Sequence, residues 1–140
     1  PISRPDLAEE YPLILTTGAR QWGFFHSEGR QIPYLRAIHP DPEVTINPVD
    51  ADRFGIADGD WVKIENQYGS CVQKAKVDIR LKQGVVSADH GWWFPERKGE
   101  DGFFGTFESN INNCIPMRPG STGLGNSYKS VLCKITAIDK

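Results

Sequence analysis

The chain has 140 residues, 39% of them hydrophobic and 24% charged, with a net charge of −2. That length suits one domain with a core of its own, and the composition is too ordinary for disorder. No basic excess marks a general nucleic-acid binder, and no apolar run approaches the ~20 residues of a membrane-spanning helix.

Taken in chain order, the pattern is mostly β. An apolar strand over 13–17 lies between Pro12 and Gly18. Residues 19–42 read as loop, with a short helix over 34–38. A short strand over 44–46 leads to Asn47-Pro48-Val49-Asp50, a helix start. Asn47 can cap, Pro48 suits the first helical position, and Asp50 stands at the capping-box position. Val49 and Phe54 are the expected apolar anchors, and Gly55 the left-handed stop. Asp58 and Asp60 read as turn formers before a strand over 61–65, with Val62 and Ile64 on one face. In the next strand, 70–79, the apolar set changes parity between Val72 and Ala75, which predicts a one-residue bulge near Gln73 and Lys74. A strand over 85–88, a long loop from Asp89 to about 130 and a strand over 131–137 complete the pattern. Six short strands and two long loops point to a small closed barrel.

Cys71, Cys114 and Cys133 are widely spaced and form no Cys-x-x-Cys. Neither a zinc ribbon nor an iron–sulfur site is encoded in this stretch. An odd count cannot pair fully, and Cys133, in an apolar strand, is expected to be a buried free thiol. The chain starts at Pro1 without an initiator Met and is expected to be a piece of something longer.

The densest chemistry follows the first strand. Thr16, Thr17 and Gly18 end it, and Arg20, His26, Ser27 and Arg30 follow within a dozen residues. N–H groups freed at a glycine turn can point at phosphate oxygens, and guanidinium supplies planar, bidentate donors. A charged surface loop is the plainer alternative. His39 precedes Pro40 and reads as structural, and the spacing of His26, His39 and His90 fits no usual zinc pattern. Dinucleotide-fold, Walker and nucleophile-elbow motifs are missing from the sequence.

The motifs gain meaning from their order. They run Leu-Thr-Thr-Gly-Ala-Arg at 15–20, Phe-His-Ser-Glu-Gly-Arg at 25–30, Ile-Asn-Pro-Val-Asp-Ala at 46–51 and Phe-Gly-Ile-Ala-Asp-Gly-Asp-Trp-Val at 54–62. Gly84-Val85-Val86, His-Gly-Trp-Trp-Phe-Pro-Glu at 90–96, Glu-Ser-Asn-Ile-Asn at 108–112 and Leu-Cys-Lys-Ile at 132–135 follow. From Tyr11 to Lys134 the set resembles the C-terminal molybdopterin-dinucleotide-binding domain of the dimethyl sulfoxide reductase superfamily. The Trp-Trp-Phe-Pro-Glu and Leu-Cys-Lys elements look most like polysulfide and thiosulfate reductases and acetylene hydratase. Cys114-Ile115-Pro116 departs from the pattern, where relatives carry Leu-Thr and then acidic residues.

The resemblance implies a six-stranded double-psi β-barrel, aspartate decarboxylase-like, with residues 1–140 forming one domain at the C-terminal end of a larger enzyme. It implies molybdopterin guanine dinucleotide carrying Mo or W as cofactor. The metal's protein ligand, and any iron–sulfur cluster, would lie in other domains. Implied partners are those domains and an iron–sulfur electron-transfer subunit, without nucleic acid or direct membrane insertion. The barrel would position the cofactor and not be catalytic in isolation. A stand-alone protein-interaction barrel, or a self-contained barrel enzyme, are the competing readings.

Carried onto this sequence, the resemblance makes Thr16, Thr17, Gly18 and Arg20 a pterin- and phosphate-binding turn, with His26 and Ser27 beside it. Arg30 either binds phosphate or pairs with Glu28. Asn47 either caps its helix or also reads a heterocycle edge. His90, Gly91 and Trp92 either contact the cofactor, with Trp92 stacking on the pterin, or pack on the barrel; Trp93 belongs with the packing. Asn110 would reach the pterin, with Asn112 a weaker match. Lys129, beside Ser127 and Tyr128, is a further cofactor contact.

Overall fold

The computed structural model describes residues 5–18, 20–97, 102–117 and 131–138. A short helix, α1 (Pro5–Ala8), precedes strand β1 (Leu13–Thr16). Helix α2 (Pro33–Ile38), strand β2 (Glu43–Ile46) and helix α3 (Pro48–Phe54) follow. Then come β3 (Trp61–Asn66), β4 (Gly69–Val77) and β5 (Val85–Ala88). Helix α4 (Thr106–Ser109) and a 3₁₀ turn (Ile111–Cys114) interrupt the segment expected to be loop throughout, and β6 (Val131–Ala137) ends the pattern.

The described strands close into a barrel in the order β1-β5-β2-β4-β3-β6. Two neighbouring pairs, β1 with β5 and β2 with β4, run parallel, and the other pairs are antiparallel. Closure removes free strand edges and encloses the alternate side chains. Leu13, Leu15, Val44, Ile46, Val62, Ile64, Val86, Cys133 and Ile135 fill the interior, all nearly or fully inaccessible. Ile111, Cys114 and Ile115 from the 3₁₀ turn pack on the same core. Cys71, Cys114 and Cys133 are all buried free thiols.

The expected bulge in β4 does not form. The pairing of β3 with β4 runs unbroken from Trp61↔Lys74 to Asn66↔Gly69. Inward positions are Cys71, Gln73 and Ala75, while Val72 lies on the outer, half-buried side. The apparent parity change arises because a fully buried glutamine occupies an inward place. Burying an amide requires hydrogen-bond partners. Gln73 Nε2 donates to the carbonyls of Asp89 (2.9 Å) and Ser109 (3.1 Å), and its Oε1 accepts from Asp89 N–H (3.2 Å).

Helix α3 starts and stops as its residues dictate. The Asn47 side chain accepts from Val49 N–H, and Gly55 closes the helix at φ 64°. Its inward side differs from expectation: Val49 is 56% exposed, whereas Asp50 and Ala51 are buried and Phe54 packs partly on the core. Asp50 does not serve as a capping-box acid; its carboxylate accepts from Gly84 N–H at 2.6 Å and ties α3 to the start of β5. Asp60 accepts from Ala57 N–H and Asp58 from Val77 N–H, both holding the turn before β3.

Candidate functional site

The parallel pairing of β1 and β5 sets Thr16 beside Ser87, so both strands deliver their following residues to the same end of the barrel. From β1 come Thr17 and Gly18; from β5 come Asp89, His90 and Gly91. Gly18 adopts φ 65°, and its N–H donates to Thr16 Oγ1 at 3.3 Å. A Cβ at this position would stand 2.6 Å from Ser87 Oγ. Only glycine combines that backbone conformation with so close an approach. Thr17 is buried.

The loop after Gly18 and the loop after β5 are joined at four places. His26 Nδ1 lies 3.2 Å from His90 Nε2. Arg30 donates through Nη1 to the His26 carbonyl at 2.7 Å and through Nη2 to the His90 carbonyl at 3.3 Å. Trp93 Nε1 donates to the Ser27 carbonyl at 2.6 Å, and the Gln21 side-chain amide donates to the Asp89 carboxylate. Gly91, at φ 63°, lets the backbones meet: a Cβ there would be 3.2 Å from the His26 carbonyl oxygen.

Beneath this junction lies an aromatic cluster of Phe24, Trp92 and Phe94. Trp92 is 0% exposed and meets Phe24, His39 and Phe94 edge-on. The Arg30 and Arg36 guanidiniums lie 4.5 and 5.0 Å from its ring centre. Arg30 Nε, Arg36 Nη1 and Trp92 Nε1 are buried without a hydrogen-bond acceptor among the described residues. Cation–π and edge-on ring contacts are the attractions that compensate them.

These contacts assign roles that residue type alone left open. Trp92 packs, and its ring presents no face on which a flat ligand could stack. Arg30 turns inward, 2% exposed, and holds the two histidine carbonyls. Burial pulls its pKa down to about 10, with neighbouring Arg36 adding to the fall and Asp89 opposing it, so it stays charged at neutral pH. Arg20 is exposed and stacks on Phe25, its guanidinium carbon 4.2 Å from the ring centre. Burial also holds His90 below the ordinary histidine pKa, assisted by His26 and Arg30 and opposed by a hydrogen bond to the Thr17 backbone and by Asp89.

Asn47 is not brought to this group. β2 runs antiparallel to β5, with Ile46 beside Val86 and Val44 beside Ala88, so Asn47 lies at the opposite end of the barrel. Its amide is engaged there, accepting from Val49 N–H and donating to the Leu81 carbonyl at 2.8 Å. Asn110 does belong near the site, because Gln73 holds the neighbouring Ser109 carbonyl together with Asp89. Asn110 caps the 3₁₀ turn through its oxygen, which accepts from Asn112 N–H at 3.0 Å. Lys129, Ser127 and Tyr128 lie outside the described residues.

Asp89 is the organising residue that sequence reasoning missed. Its buried carboxylate accepts from Gln21, from His39 Nε2 at 2.6 Å and from Glu43 N–H at 2.9 Å. It thereby fixes the loop after Gly18, the start of β2 and the end of β5 to one another. An acid at a strand end gives no local sign of burial. Only the inward parity of Gln73, its backbone partner, marked a polar node within the barrel.

A family model described as the molydopterin dinucleotide binding domain matches residues 13–132. Over 110 residues the chain is 43% identical to dopamine dehydroxylase of Eggerthella lenta, covering 79% of this chain and 11% of that protein. It is 38% identical over 111 residues to acetylene hydratase of Syntrophotalea acetylenica, covering 78% and 15%. It is 33% identical over 133 residues to dimethyl sulfoxide reductase DmsA of Escherichia coli, covering 94% and 16%. The chain therefore spans only 11–16% of the length of these relatives. The solved structure of acetylene hydratase from Pelobacter acetylenicus superposes with a TM-score of 0.89 at 33% identity, over 98% of this chain and 20% of that one. The barrel is a double-psi β-barrel, and the chain belongs to the molydopterin dinucleotide binding domain family of the dimethyl sulfoxide reductase superfamily.

Proposed function

We propose that this barrel is the C-terminal part of a larger molybdopterin oxidoreductase and closes over a molybdopterin guanine dinucleotide carrying Mo or W. The observation that carries the reading is the Gly18 turn. A glycine at φ 65° packed against Ser87 stands two residues before an exposed guanidinium, and the His26–His90 pair flanks them. A planar cation and two imidazoles beside the glycine turn form a donor set suited to phosphate oxygens and to the acceptor edge of a pterin. The residues present therefore fit the group.

In this reading Thr16, Thr17, Gly18 and Arg20 hold the cofactor from one side. His26, Ser27, His90 and Gly91 line the adjoining edge, and Asn110 approaches from beside Gln73. Arg30, Trp92 and Asp89 position these residues. The cofactor supplies the two-electron or Lewis-acid chemistry of its metal, whose protein ligand belongs to the remainder of the enzyme. The barrel's own work is to bind, orient and neutralise charge. Other domains of the enzyme complete the site, and an iron–sulfur electron-transfer subunit is a further partner.

The test is to purify the enzyme that carries this chain and release its cofactor by acid. The reading expects a fluorescent pterin, stoichiometric GMP on hydrolysis, and Mo or W. An enzyme with metal and pterin but no GMP refutes the guanine form; one with no pterin refutes the reading.

A further inference from the structure

His26 and His90 face each other directly, with Nδ1 of one 3.2 Å from Nε2 of the other and their rings inclined at 64°. A neutral imidazole donates through one nitrogen and accepts through the other, whereas imidazolium only donates. His90 is also hydrogen-bonded to the Thr17 backbone, a bond that favours its protonated form and so has the ring donating. In the neutral pair one of the two facing nitrogens donates and the other accepts. The pair closes on itself while neutral or singly charged; with two charges it has donors only and repels.

The backbones beneath cannot separate to relieve that repulsion. Arg30 holds both histidine carbonyls, and the two backbones are in close contact at Gly91. The imidazoles must swing instead, turning N–H donors outward. Arg20 lies one ring away, stacked on Phe25, which meets His26 at 4.6 Å between centres. The other charged groups around the pair are Glu28, which accepts from His26 N–H, Arg30 below, and Asp89, whose carboxylate is committed to Gln21, His39 and Glu43.

We propose that the His26–His90 pair is a proton-gated receptor for a phosphate-type oxyanion, closed on itself at low charge and opened to the anion when both rings are protonated. The proposal rests on the cofactor reading for its biological ligand. The same chemistry would take either a dinucleotide's pyrophosphate or free phosphate. An oxyanion supplies the countercharge that a doubly protonated pair lacks, so binding takes up protons.

The test follows the histidine ring resonances of the 140-residue chain by NMR, with sulfate as probe because its charge is constant near neutral pH. The half-saturating sulfate concentration should rise at least ~10-fold between about pH 5.5 and about pH 7.5, across the histidine range. Saturating sulfate should move both titrations upward. His90→Gln, or separately the exposed His26→Gln, should cut the pH dependence to less than ~2-fold. Sulfate affinity independent of pH, or histidine titrations unmoved by saturating sulfate, overturns the proposal. Parallel titrations with GDP and inorganic phosphate identify the source: ~10-fold tighter GDP points to an esterified diphosphate, equal affinity to free phosphate. Because no pterin is needed, a pH-gated sulfate site in a chain whose parent enzyme releases no pterin upholds the receptor and refutes the cofactor reading. Pterin present with pH-independent sulfate does the reverse.

Discussion

Replacing Gln73 with leucine tests the account of the barrel interior. Gln73 is 0% exposed, and its amide satisfies the carbonyls of Asp89 and Ser109. Leucine has similar bulk but no donor. Asp89 N–H keeps its second acceptor, the Glu43 carbonyl at 2.9 Å, so the two carbonyls carry most of the loss. Each buried carbonyl left alone costs roughly 1–3 kcal/mol. The added apolar burial returns roughly 1.5 kcal/mol. The net expectation is a loss of about 0.5–4.5 kcal/mol, dominated by the polar groups. Urea unfolding with a slope of about 1.5 kcal/mol/M should show a midpoint lowered by roughly 0.3–3 M at unchanged slope. Val72→Thr, on the outer side of β4, is the control and should cost less than ~1 kcal/mol. A Gln73→Leu midpoint within about 0.3 M of wild type would refute the polar-node argument. A Val72→Thr loss as large as that of Gln73→Leu would refute the unbroken register.

Further outcomes follow from the same contacts. Gly18→Ala should cost about 1–2 kcal/mol from its left-handed conformation alone; adding Ser87→Gly should relieve the steric part but leave that strain, as thermal denaturation of the double-mutant cycle would show. Arg30→Met should leave the His26 and His90 carbonyls without their donor, costing about 2–4 kcal/mol; hydrogen exchange at residues 26–30 and 90–92 should accelerate while exchange in β3 and β4 changes less. Because His90 has a depressed folded pKa, the unfolded chain takes up its proton first. Stability should be full above the ordinary value of 6.5 and decline as pH falls through the lower folded value, a decline that His90→Gln should reduce in unfolding curves. A side-chain hydrogen bond with Cys114, then burial, raises the pKa of Cys71, and burial raises that of Cys133. A bulky maleimide should therefore label these cysteines only as fast as the chain unfolds, and rapid native labelling would contradict their placement.

Much of the barrel was legible because local rules and tertiary packing agree. Alternation marked β3, the Asn47–Pro48 start and Gly55 stop marked α3, and the apolar runs marked β1, β5 and β6. The pattern misled where a polar residue took an inward place: Gln73 broke the apolar sequence of β4 without breaking its geometry. Val49 failed as an anchor because Asp50 and Ala51 occupy the inward side of α3. At the candidate site the chemistry was visible but the grouping was not. Gly18, His26 and His90 converge because β1 pairs in parallel with a strand about 70 residues later. Nothing in local spacing distinguishes Arg20, which stays exposed, from Arg30, which turns inward to two carbonyls. The same register sends Asn47 to the far end, although its residue type and motif suited a ligand contact.

The central claim is that the Gly18–Arg20 turn holds the dinucleotide, and cofactor retention by Arg20→Ala in the complete enzyme tests it most directly. Arg20 is exposed and stacks on Phe25, so the variant should fold with an unchanged circular dichroism spectrum. Loss of one charge-assisted contact, worth roughly 1.5–3 kcal/mol, should weaken cofactor binding at least ~10-fold. After dialysis, released pterin per enzyme should fall clearly below the wild-type value. Equal pterin content and equal loss rates in the folded variant and the wild type would contradict the claim.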